Sequence, residues 1–494
     1  MLTSLSLSQC IRPWIHHLEA RCEDIQVRSM TLDSREVSKG ALFIAIQGHQ
    51  LDGRQYIPQA IDAGAVAVLS ECDMPTEHGH VQWVEDIPII SWYRLSSDLS
   101  AVAAQRYPHE LTMIGVTGTN GKTTISQLIA QWLGLLARPC AVMGTTGNGF
   151  LPELTPSVNT TGNAVDIQRT LYDFAAQGAH FAVMEVSSHG LVQQRVKALH
   201  YQVAVFSNLS RDHLDYHGSM QEYAKAKQLL FTTHQCAQPV FNVDDPVGAQ
   251  FFQQRPDAIA VSLQGAVTAE KALWAESVVY RDHGLELSID GHWGRGELTV
   301  PLIGEFNAMN VMLALASLLA LGIPLARLLS TANQLSSVIG RMELFQAPDR
   351  AKIVVDYAHT PDALDKALQA LASHCRGQLW CIFGCGGERD TGKRAMMAKI
   401  AEQKADNVVV TNDNPRSEDP MTIVNDILAG MSEPQKALVE LDRYAAVALA
   451  LAQAGADDVI LLAGKGHEDY QVINGQTVVY SDRDTARLLL EETP

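Results

Sequence analysis

The sequence lacks the features that mark membrane, secreted or zinc-binding proteins. No apolar run approaches the roughly eighteen residues that a membrane-spanning helix needs, and the N-terminal segment shows no basic stretch followed by an apolar core. The eight cysteines are scattered and show no paired C-x-x-C spacing, so no zinc site and no disulfide framework is expected. These absences predict a cytoplasmic protein with reduced thiols and no membrane insertion.

Positive charge is also scarce. The chain has 37 Lys and Arg against 55 Asp and Glu, which gives a net charge of -18. Nucleic-acid binding requires clustered cations that displace counterions, so no nucleic-acid partner is expected. The same acidity repels small anionic substrates, and their binding would need local cations, a bound metal or helix N-termini.

What is present is a long chain of globular composition. Its 494 residues exceed the size of a single hydrophobic core, so two to four domains are expected. Apolar runs such as FAVMEV, KIVVDYAH and DVILLAG alternate with helical patterns. This alternation predicts an α/β fold built on mostly parallel sheets with helices on both faces.

A glycine-rich loop follows the apolar run LTMIGVT and precedes a helical pattern. Backbone N–H groups at such a position bind phosphate oxygens. We expect Lys122 to reach the terminal phosphates and the Thr123 hydroxyl to bind Mg²⁺. The spacing departs from the usual P-loop, because Val116 stands six positions before Lys122. The predicted nucleotide loop consists of Gly118, Thr119, Asn120, Gly121, Lys122, Thr123 and Thr124.

Two polar segments follow predicted strands in the same region. Glu185 ends the run FAVME, where a carboxylate is suited to Mg²⁺, although strand-end acids are often merely solvated. The run VAVFSN leads into RDHLDYH, which contains several potential metal ligands. This loop fits a nucleotide-linked metal, a metal-dependent hydrolase site, or a polar turn with capping aspartates. The phosphate-binding loop upstream favours the first interpretation.

The last third of the chain repeats the pattern of a buried strand that runs into a polar loop. The first of these loops begins at Asp356 and the second contains Arg389. The third ends at Arg416, and the fourth extends from Gly464 to Glu468. Ligands of open α/β sheets bind beyond the carboxyl ends of the strands, so the four loops predict one site. An arginine fork suits a carboxylate, but either arginine alone is equally consistent with a surface charge.

The motifs GTNGKTT, MEVSSHGL, NLSRDHLDYHG, GRME, DYAHTPDAL, DNPR and AGKGHE follow one another along the chain. In this set and order the sequence closely resembles the Mur ligases of peptidoglycan synthesis over essentially its whole length. The resemblance implies a small α/β N-terminal domain that binds the UDP precursor at 1–108. It also implies a central P-loop parallel-sheet ATPase domain at 109–339 and a C-terminal Rossmann-like, amino-acid-binding domain at 340–494.

The resemblance also implies a reaction. ATP, with two Mg²⁺ ions, would activate the D-glutamate γ-carboxylate of UDP-N-acetylmuramoyl-L-alanyl-D-glutamate as an acyl phosphate. The amine of meso-2,6-diaminopimelate would then attack this carbonyl. Lysine-adding relatives typically lack the arginine of DNPR, so Arg416 favours diaminopimelate. A monomer is expected.

Motif matching carries the family's site residues onto this chain. The catalytic side chains would be Lys122, Glu185, His213, Lys227 and Asp356. The nucleotide site would add Asn307, Asn310 and Arg341 to the loop. The UDP-precursor site would contain Leu32, Ser34, His49, Gln50, Leu51, Asn159, Thr160, Thr161, Ser187, Gln193 and Arg195. The diaminopimelate site would contain Arg389, Asp413, Asn414, Pro415, Arg416, Gly464 and Glu468.

The metal ligands implied by the resemblance are Thr123, Glu185, His213 and Lys227. Lys227 would act as its N6-carboxylated (carbamylated) form, since a free ammonium repels Mg²⁺ whereas a carbamate supplies an anion. Without the resemblance, Lys227 would be interpreted as an ordinary surface lysine of a helix.

Other functions remain possible at this point. An L-lysine-adding member of the same family and a folylpolyglutamate synthetase-like ligase share the variant loop and the ligase chemistry, although SSHGL and DNPR argue against the latter. A nucleotide-binding scaffold or switch would not need Glu185, His213, Lys227 and paired arginines. A ligase releases phosphate only with precursor and amino acid together, whereas a switch ATPase needs neither.

Overall fold

The computed structural model describes residues 4–48, 51–281 and 284–491, without the side chain of Asp215. The chain forms two compact units. Unit 1 is drawn from residues 1–118, 136–205 and 213–239, and unit 2 from 119–135, 206–212 and 240–494. Within the described ranges, no helix has both the length and the apolar character needed to cross a bilayer.

Unit 1 begins with a small α/β sheet. Its elements are β1 (Leu5–Ser6), α1 (Leu7–Ile11), α2 (Ala20–Glu23), β2 (Gln26–Val27), β3 (Ser29–Thr31), β4 (Ala41–Ala45), α3 (Ile57–Asp62), β5 (Ala65–Cys72), β6 (Val81–Val84), β7 (Ile87–Tyr93) and α4 (Leu95–Arg106). Five strands form a sheet in the order β3-β4-β5-β7-β6, in which β6 alone is antiparallel to its neighbour. Strand β4 is buried along its whole length, which explains its uninterrupted apolar sequence.

The following elements are β8 (Thr112–Thr117), α5 (Lys122–Leu135), β9 (Cys140–Gly144), β10 (Gly147–Phe150), β11 (Glu153–Thr155), α6 (Ala164–Ala176), β12 (Phe181–Glu185), α7 (Ser188–Val192), β13 (His200–Phe206), α8 (Leu214–His217), α9 (Met220–Thr232) and β14 (Gln235–Asn242). In unit 1, β9, β12 and β8 pair in parallel, and the β10–β11 hairpin extends this sheet beyond β9. Helix α5 belongs to unit 2.

Unit 2 continues with α10 (Pro246–Gln254), β15 (Ile259–Ser262), β16 (Lys271–Arg281), β17 (Gly284–Gly291), β18 (Gly296–Val300), α11 (Glu305–Ala320) and α12 (Leu325–Leu329). The end of β14 pairs in parallel with β15, and β16, β17 and β18 form an antiparallel meander. Helix α11 is buried along most of its length and packs against α5. Its run of Ala and Leu residues is therefore that of a core helix.

The last part of unit 2 contains β19 (Glu343–Phe345), β20 (Lys352–Asp356), α13 (Pro361–Ala372), β21 (Leu379–Phe383), α14 (Gly392–Lys404), β22 (Asn407–Val410), α15 (Pro420–Leu428), β23 (Leu438–Val439), α16 (Arg443–Gln453), β24 (Val459–Ala463), β25 (Tyr470–Ile473), β26 (Gln476–Val479) and α17 (Asp482–Glu491). The sheet order is β19-β20-β24-β21-β22-β23, and every strand except β19 is parallel to its neighbours.

Alternate residues of these strands point to opposite faces of the sheet. Val354 packs in the core formed with α13, α14 and α15, whereas Ile353 and Val355 pack in the core formed with α16 and α17. Helices thus cover both faces of the sheet. The polar loops after β20, β21, β22 and β24 extend beyond the carboxyl ends of these parallel strands, all at the same end of the sheet. Helix α13 is capped by Thr360, whose hydroxyl accepts the Ala363 N–H at 3.3 Å, and Pro361 opens the helix.

Candidate functional site

The glycine-rich loop of unit 2 leads directly into α5, which begins at Lys122. Gly121 has φ +86°, and a Cβ there would lie 2.5 Å from Oδ1 of Asn310, so both the backbone conformation and the close approach favour glycine. Asn310 in turn donates to Oδ1 of Asn307 at 3.0 Å. The Lys122 ammonium donates to the Thr119 carbonyl at 2.9 Å. The structure thus brings the predicted nucleotide residues of α11 to the loop.

Asn208 and Ser210, which belong to the motif NLSRDHLDYHG but were assigned no role from the sequence, fix the shape of this loop. Asn208 accepts the Thr119 N–H through its carbonyl at 2.8 Å and the Asn120 N–H through Oδ1 at 3.0 Å. The Asn120 side chain donates to Ser210 Oγ at 3.2 Å and to Asp362 Oδ2 at 3.4 Å. Ser210 Oγ also donates to Asp362 Oδ2, at 2.9 Å. Asp362 of α13 therefore contacts the phosphate-binding loop.

A buried carboxylate lies at the end of β12 in unit 1. Glu185 is 1% exposed and accepts the Thr145 N–H at 2.9 Å and the Thr145 hydroxyl at 3.1 Å. The Thr145 and Thr160 hydroxyls share a hydrogen bond of 2.9 Å. A Cβ on Gly144 would lie 2.1 Å from Glu185 Oε1, so the carboxylate requires this glycine. Each carboxylate oxygen has two acceptor sites, and Glu185 therefore retains capacity for a cation.

Imidazole rings gather around the predicted metal ligand His213. The ring centroid of His189 lies 5.0 Å from that of His213 and 4.1 Å from that of Tyr216. His217 stacks on Tyr223 at 5.0 Å. His213 itself has φ +50°, a left-handed conformation that is uncommon for a non-glycine residue and often marks a functional loop.

Lys227 is not a surface residue. Its side chain on α9 is 1% exposed, donates to the Gly118 carbonyl at 2.7 Å and lies 4.5 Å from the ring centroid of Tyr223. Interpreting it as a surface helix lysine is therefore wrong, because its side chain is buried and its ammonium bonds the backbone. Across the described ranges, no three His, Cys, Asp or Glu side chains are placed as a ready metal cluster.

Several predicted precursor-binding residues form one network in unit 1. Arg195 donates to the Thr161 carbonyl at 2.8 Å and to Gln193 Oε1 at 2.9 Å, and Gln193 donates to the Tyr216 hydroxyl at 3.2 Å. The Thr161 hydroxyl accepts the Ser187 N–H at 2.9 Å. Burial lowers the pKa of Arg195. These contacts hold the arginine in a fixed orientation.

Four other predicted precursor residues that the structure describes do not join this network. The Ser34 hydroxyl donates a hydrogen bond to the Gln59 side chain at 3.0 Å. Leu32 packs against the hydrophobic core of the N-terminal sheet, and Leu51 is 68% exposed. Asn159 is exposed, and its carbonyl accepts the Ser157 hydroxyl at 2.7 Å. His49 and Gln50 lie outside the described residues.

In unit 2, Arg341 and Asp356 lie close to the loop that follows β24. The Arg341 guanidinium lies 4.7 Å from the ring centroid of Tyr357, and the His467 ring packs on the same tyrosine at 5.1 Å. Asp356 accepts the Met342 N–H at 2.8 Å. Burial raises the pKa of Asp356, although the nearby positive charge of Arg341 acts to lower it. Burial also raises the pKa of Tyr357 to about 12.

The two predicted carboxylate-binding arginines are neighbours. A Cβ on Gly386 would lie 2.9 Å from Nη1 of Arg416 and 3.7 Å from Cγ of Arg389. Arg416 has φ +55°, which its N–H maintains by donating to the Val472 carbonyl at 2.9 Å. The Arg416 Nη1 also donates to the Gly387 carbonyl at 2.8 Å. Glycine at 386 therefore leaves room for the Arg416 guanidinium and the Arg389 side chain beside one backbone segment.

A buried lysine of the GKGHE loop connects this loop to the DNPR loop. The Lys465 ammonium donates hydrogen bonds to the side chains of Asp413, Asn414 and Glu468. Beneath these loops, Arg443 forms a fully buried ion pair with Asp482 at 2.8 Å and donates to the carbonyl of Ala463. Lys465 and Arg443 were missed, although Lys465 belongs to a motif that the sequence had already singled out.

Family models match most of the chain. The Mur ligase family catalytic domain matches residues 26–106, the Mur ligase middle domain matches 116–318, and the Mur ligase glutamate ligase domain matches 340–466. With the phosphate-binding loop and the α/β sheets described above, they define the class of the protein: it is an enzyme, a ligase that forms amide bonds.

Full-length relatives agree. The chain is 57% identical to the UDP-N-acetylmuramoyl-L-alanyl-D-glutamate--2,6-diaminopimelate ligase of Vibrio vulnificus, covering 99% of each chain. It is 56% identical to the ligase of that name from Vibrio parahaemolyticus, again over 99% of each. A solved structure of a ligase with this name superimposes with a TM-score of 0.72, at 36% identity and 99% coverage of both chains. The chain belongs to the Mur ligase family.

Family membership confirms the resemblance and the three-domain α/β fold class. The domain limits at 108 and 339 and the individual roles of the site residues remain predictions. Thr145, Asn208, Ser210 and Asp362 are further polar residues of these sites. Asn208, Ser210 and Asp362 lie within motifs and Thr145 lies outside them, but the partner of each is far away in the chain, so only the fold shows the contact.

Proposed function

We propose that this chain is the ATP-dependent ligase that joins meso-2,6-diaminopimelate to the D-glutamate γ-carboxylate of UDP-N-acetylmuramoyl-L-alanyl-D-glutamate. The observation that carries the choice of amino acid is the pair Arg389 and Arg416 beside Gly386. Two guanidinium groups suit an amino acid with two carboxylates, whereas lysine has only one. The names of the 56–57% identical relatives support this choice.

In the proposed mechanism, the loop N–H groups and Lys122 hold the outer phosphates of ATP. The precursor carboxylate attacks the γ-phosphorus, which gives an acyl phosphate and ADP. Arg195, held by Thr161 and Gln193, orients the precursor in unit 1. The diaminopimelate amine then attacks the activated carbonyl, and phosphate leaves.

The donor set suits Mg²⁺. The buried Glu185 carboxylate of unit 1 retains acceptor sites, and oxygen ligands are those that Mg²⁺ prefers. Glu185, His213 and a carbamylated Lys227, all in unit 1, would hold one ion, and the Thr123 hydroxyl of unit 2 would bind the other. Bound Mg²⁺ would offset the negative charge of the reacting phosphates. A cytoplasmic location and a monomeric state remain predictions.

An amino-acid panel tests the proposal. The full chain is incubated with ATP, the UDP-muramoyl-dipeptide and, in turn, meso-diaminopimelate, L-lysine or L-glutamate, and products are identified by mass. We expect ligation and phosphate release only with diaminopimelate. With ¹⁸O in the precursor carboxylate, one label should appear in the released phosphate. Ligation of lysine instead, or phosphate without label, would reject the substrate or the acyl-phosphate route, respectively.

A further inference from the structure

Lys465 is the most completely enclosed charge among the four loops that follow the C-terminal strands. Its side chain is 0% exposed. The ammonium lies 2.9 Å from Glu468 Oε2, 3.1 Å from Asn414 Oδ1 and 3.2 Å from Asp413 Oδ1. An ammonium has three donors, so these three acceptors use all of them. Lys465 is therefore fixed in position and cannot itself bind a substrate carboxylate.

This arrangement orients the Asn414 amide. Lysine only donates, so the atom of Asn414 that faces Lys465 must be the oxygen. That oxygen also accepts the Val472 N–H at 3.0 Å. The amide nitrogen consequently points the other way and donates to Glu468 Oε2 at 3.2 Å. Lys465 and Asn414 thus both bind the same oxygen of Glu468.

The other oxygen of Glu468 is left available. In the part of the chain that the structure describes, Oε1 of Glu468 has no hydrogen-bond partner, and the side chain is 17% exposed. The two carboxylates of Asp413 and Glu468 face one ammonium, which leaves one negative charge in excess. A single ammonium from a ligand would balance this charge, as a partly buried group requires.

We propose that Lys465 is a positioning residue that makes Glu468 selective for the distal ammonium of the incoming amino acid. By occupying Oε2 together with Asn414, it directs Oε1 toward that group and prevents Glu468 from swinging to the guanidinium groups of Arg389 or Arg416. The inference rests on the proposed function, since it concerns the same amino-acid site. It predicts that selectivity for a distal amine depends on a residue that does not touch the substrate.

The test compares Lys465→Met with the wild-type chain and with Lys399→Met, a control on an exposed position of α14 in the same region. Kinetics are measured with meso-diaminopimelate and with L-2-aminopimelate, which keeps both carboxylates but lacks the distal amine. For Lys465→Met we expect KM for diaminopimelate to rise about 10- to 100-fold and KM for ATP to stay within about twofold. The ratio of kcat/KM for diaminopimelate to kcat/KM for L-2-aminopimelate should fall. Lys399→Met should match the wild type.

Lys465→Met leaves the carboxylates of Asp413 and Glu468 close together without their shared cation, which could destabilise the fold. A second series of variants separates this effect from the proposed role of Lys465. Glu468→Gln is compared with the double variant Lys465→Met/Glu468→Gln, and thermal unfolding is recorded for each. If Lys465 acts through Glu468, the second change adds little to the KM of Glu468→Gln. Full additivity, or an unchanged KM in folded Lys465→Met, overturns the inference. A wild-type chain that does not ligate diaminopimelate would instead reject the proposed function.

Discussion

The phosphate-binding loop and the amino-acid pocket, both in unit 2, are organised by different forces. Mostly neutral groups hold the loop: Asn208 bonds its backbone and Ser210 bonds the Asn120 amide, and Asp362 is the one charged contact described for this network. Charged groups hold the pocket, where Lys465 bonds Asp413 and Glu468 and a buried Arg443–Asp482 pair lies beneath. The difference follows from the expected ligands.

A site for polyphosphate must keep its N–H donors free of competing anions, so neutral hydrogen bonds are suited to shaping it. A site for an amino acid with two carboxylates and two amines must present both signs of charge without letting them neutralise each other. Fixed ion pairs achieve this, because they hold some charges in place and leave defined atoms available. The predictions below test this contrast.

The largest effect is expected beneath the pocket. Arg443→Met leaves Asp482 buried without its cation, which should destabilise the folded C-terminal sheet by about 3–5 kcal/mol. Lys436→Met is the control, because it removes an ion pair whose partners are 71% and 52% exposed and should cost less than about 1 kcal/mol. Urea unfolding followed by tryptophan fluorescence measures both. Equal midpoints for the two variants would show that the buried pair does not organise the pocket.

In the loop, Lys122→Met removes the cation that we expect to face the outer phosphates. We expect kcat to fall about 10²- to 10³-fold, as when one preorganised electrostatic group is lost, with little change in the thermal midpoint. ADP formation with both other substrates present is the measurement, and Lys399→Met again serves as control. A kcat near that of the wild type would mean that backbone donors suffice and that Lys122 has no catalytic role.

The sequence was sufficient to predict most elements of the fold. Apolar runs located β12, β20, β21, β22 and β24, because parallel strands buried on both faces are apolar throughout. The β16–β18 meander in residues 271–300 was not predicted, since its strands alternate and depend on pairing for their register. Motifs located the loops, but not which atoms of a loop bind each other.

Lys465 illustrates the limit for the site. It stands three residues from Glu468 but 51 from Asn414, and only the sheet order places β22 and β24 close enough for this contact. Lys227 is a second case: its sequence on an amphipathic helix resembles that of a solvated lysine, but its buried ammonium contacts Gly118, 109 positions away. Long-range packing decided both residues, and no local pattern records it.

A conservative change in the pocket should have an intermediate effect. Arg416→Lys keeps the charge and the non-glycine backbone at φ +55° but loses the planar fork. We expect KM for diaminopimelate to rise about tenfold or somewhat more, while KM for ATP is unchanged. Initial rates over a range of both substrates measure the two constants. A rise in both would indicate a disturbed fold rather than a lost carboxylate contact.

The smallest effect concerns the link between α13 and the loop. Asp362 accepts hydrogen bonds from Ser210 and Asn120 and also forms an ion pair with Lys366 at 2.9 Å. Each single change, Ser210→Ala or Asp362→Ala, should therefore raise KM for ATP only a few-fold, which corresponds to about 1 kcal/mol. Their double variant should cost less than the sum, since both remove the same contact. Asp365→Ala is the control on α13, because it removes a partly exposed ion pair between Asp365 of this helix and Lys404 of α14. Strict additivity of the two changes would mean that the loop is shaped without α13, and the neutral network would then end at Ser210.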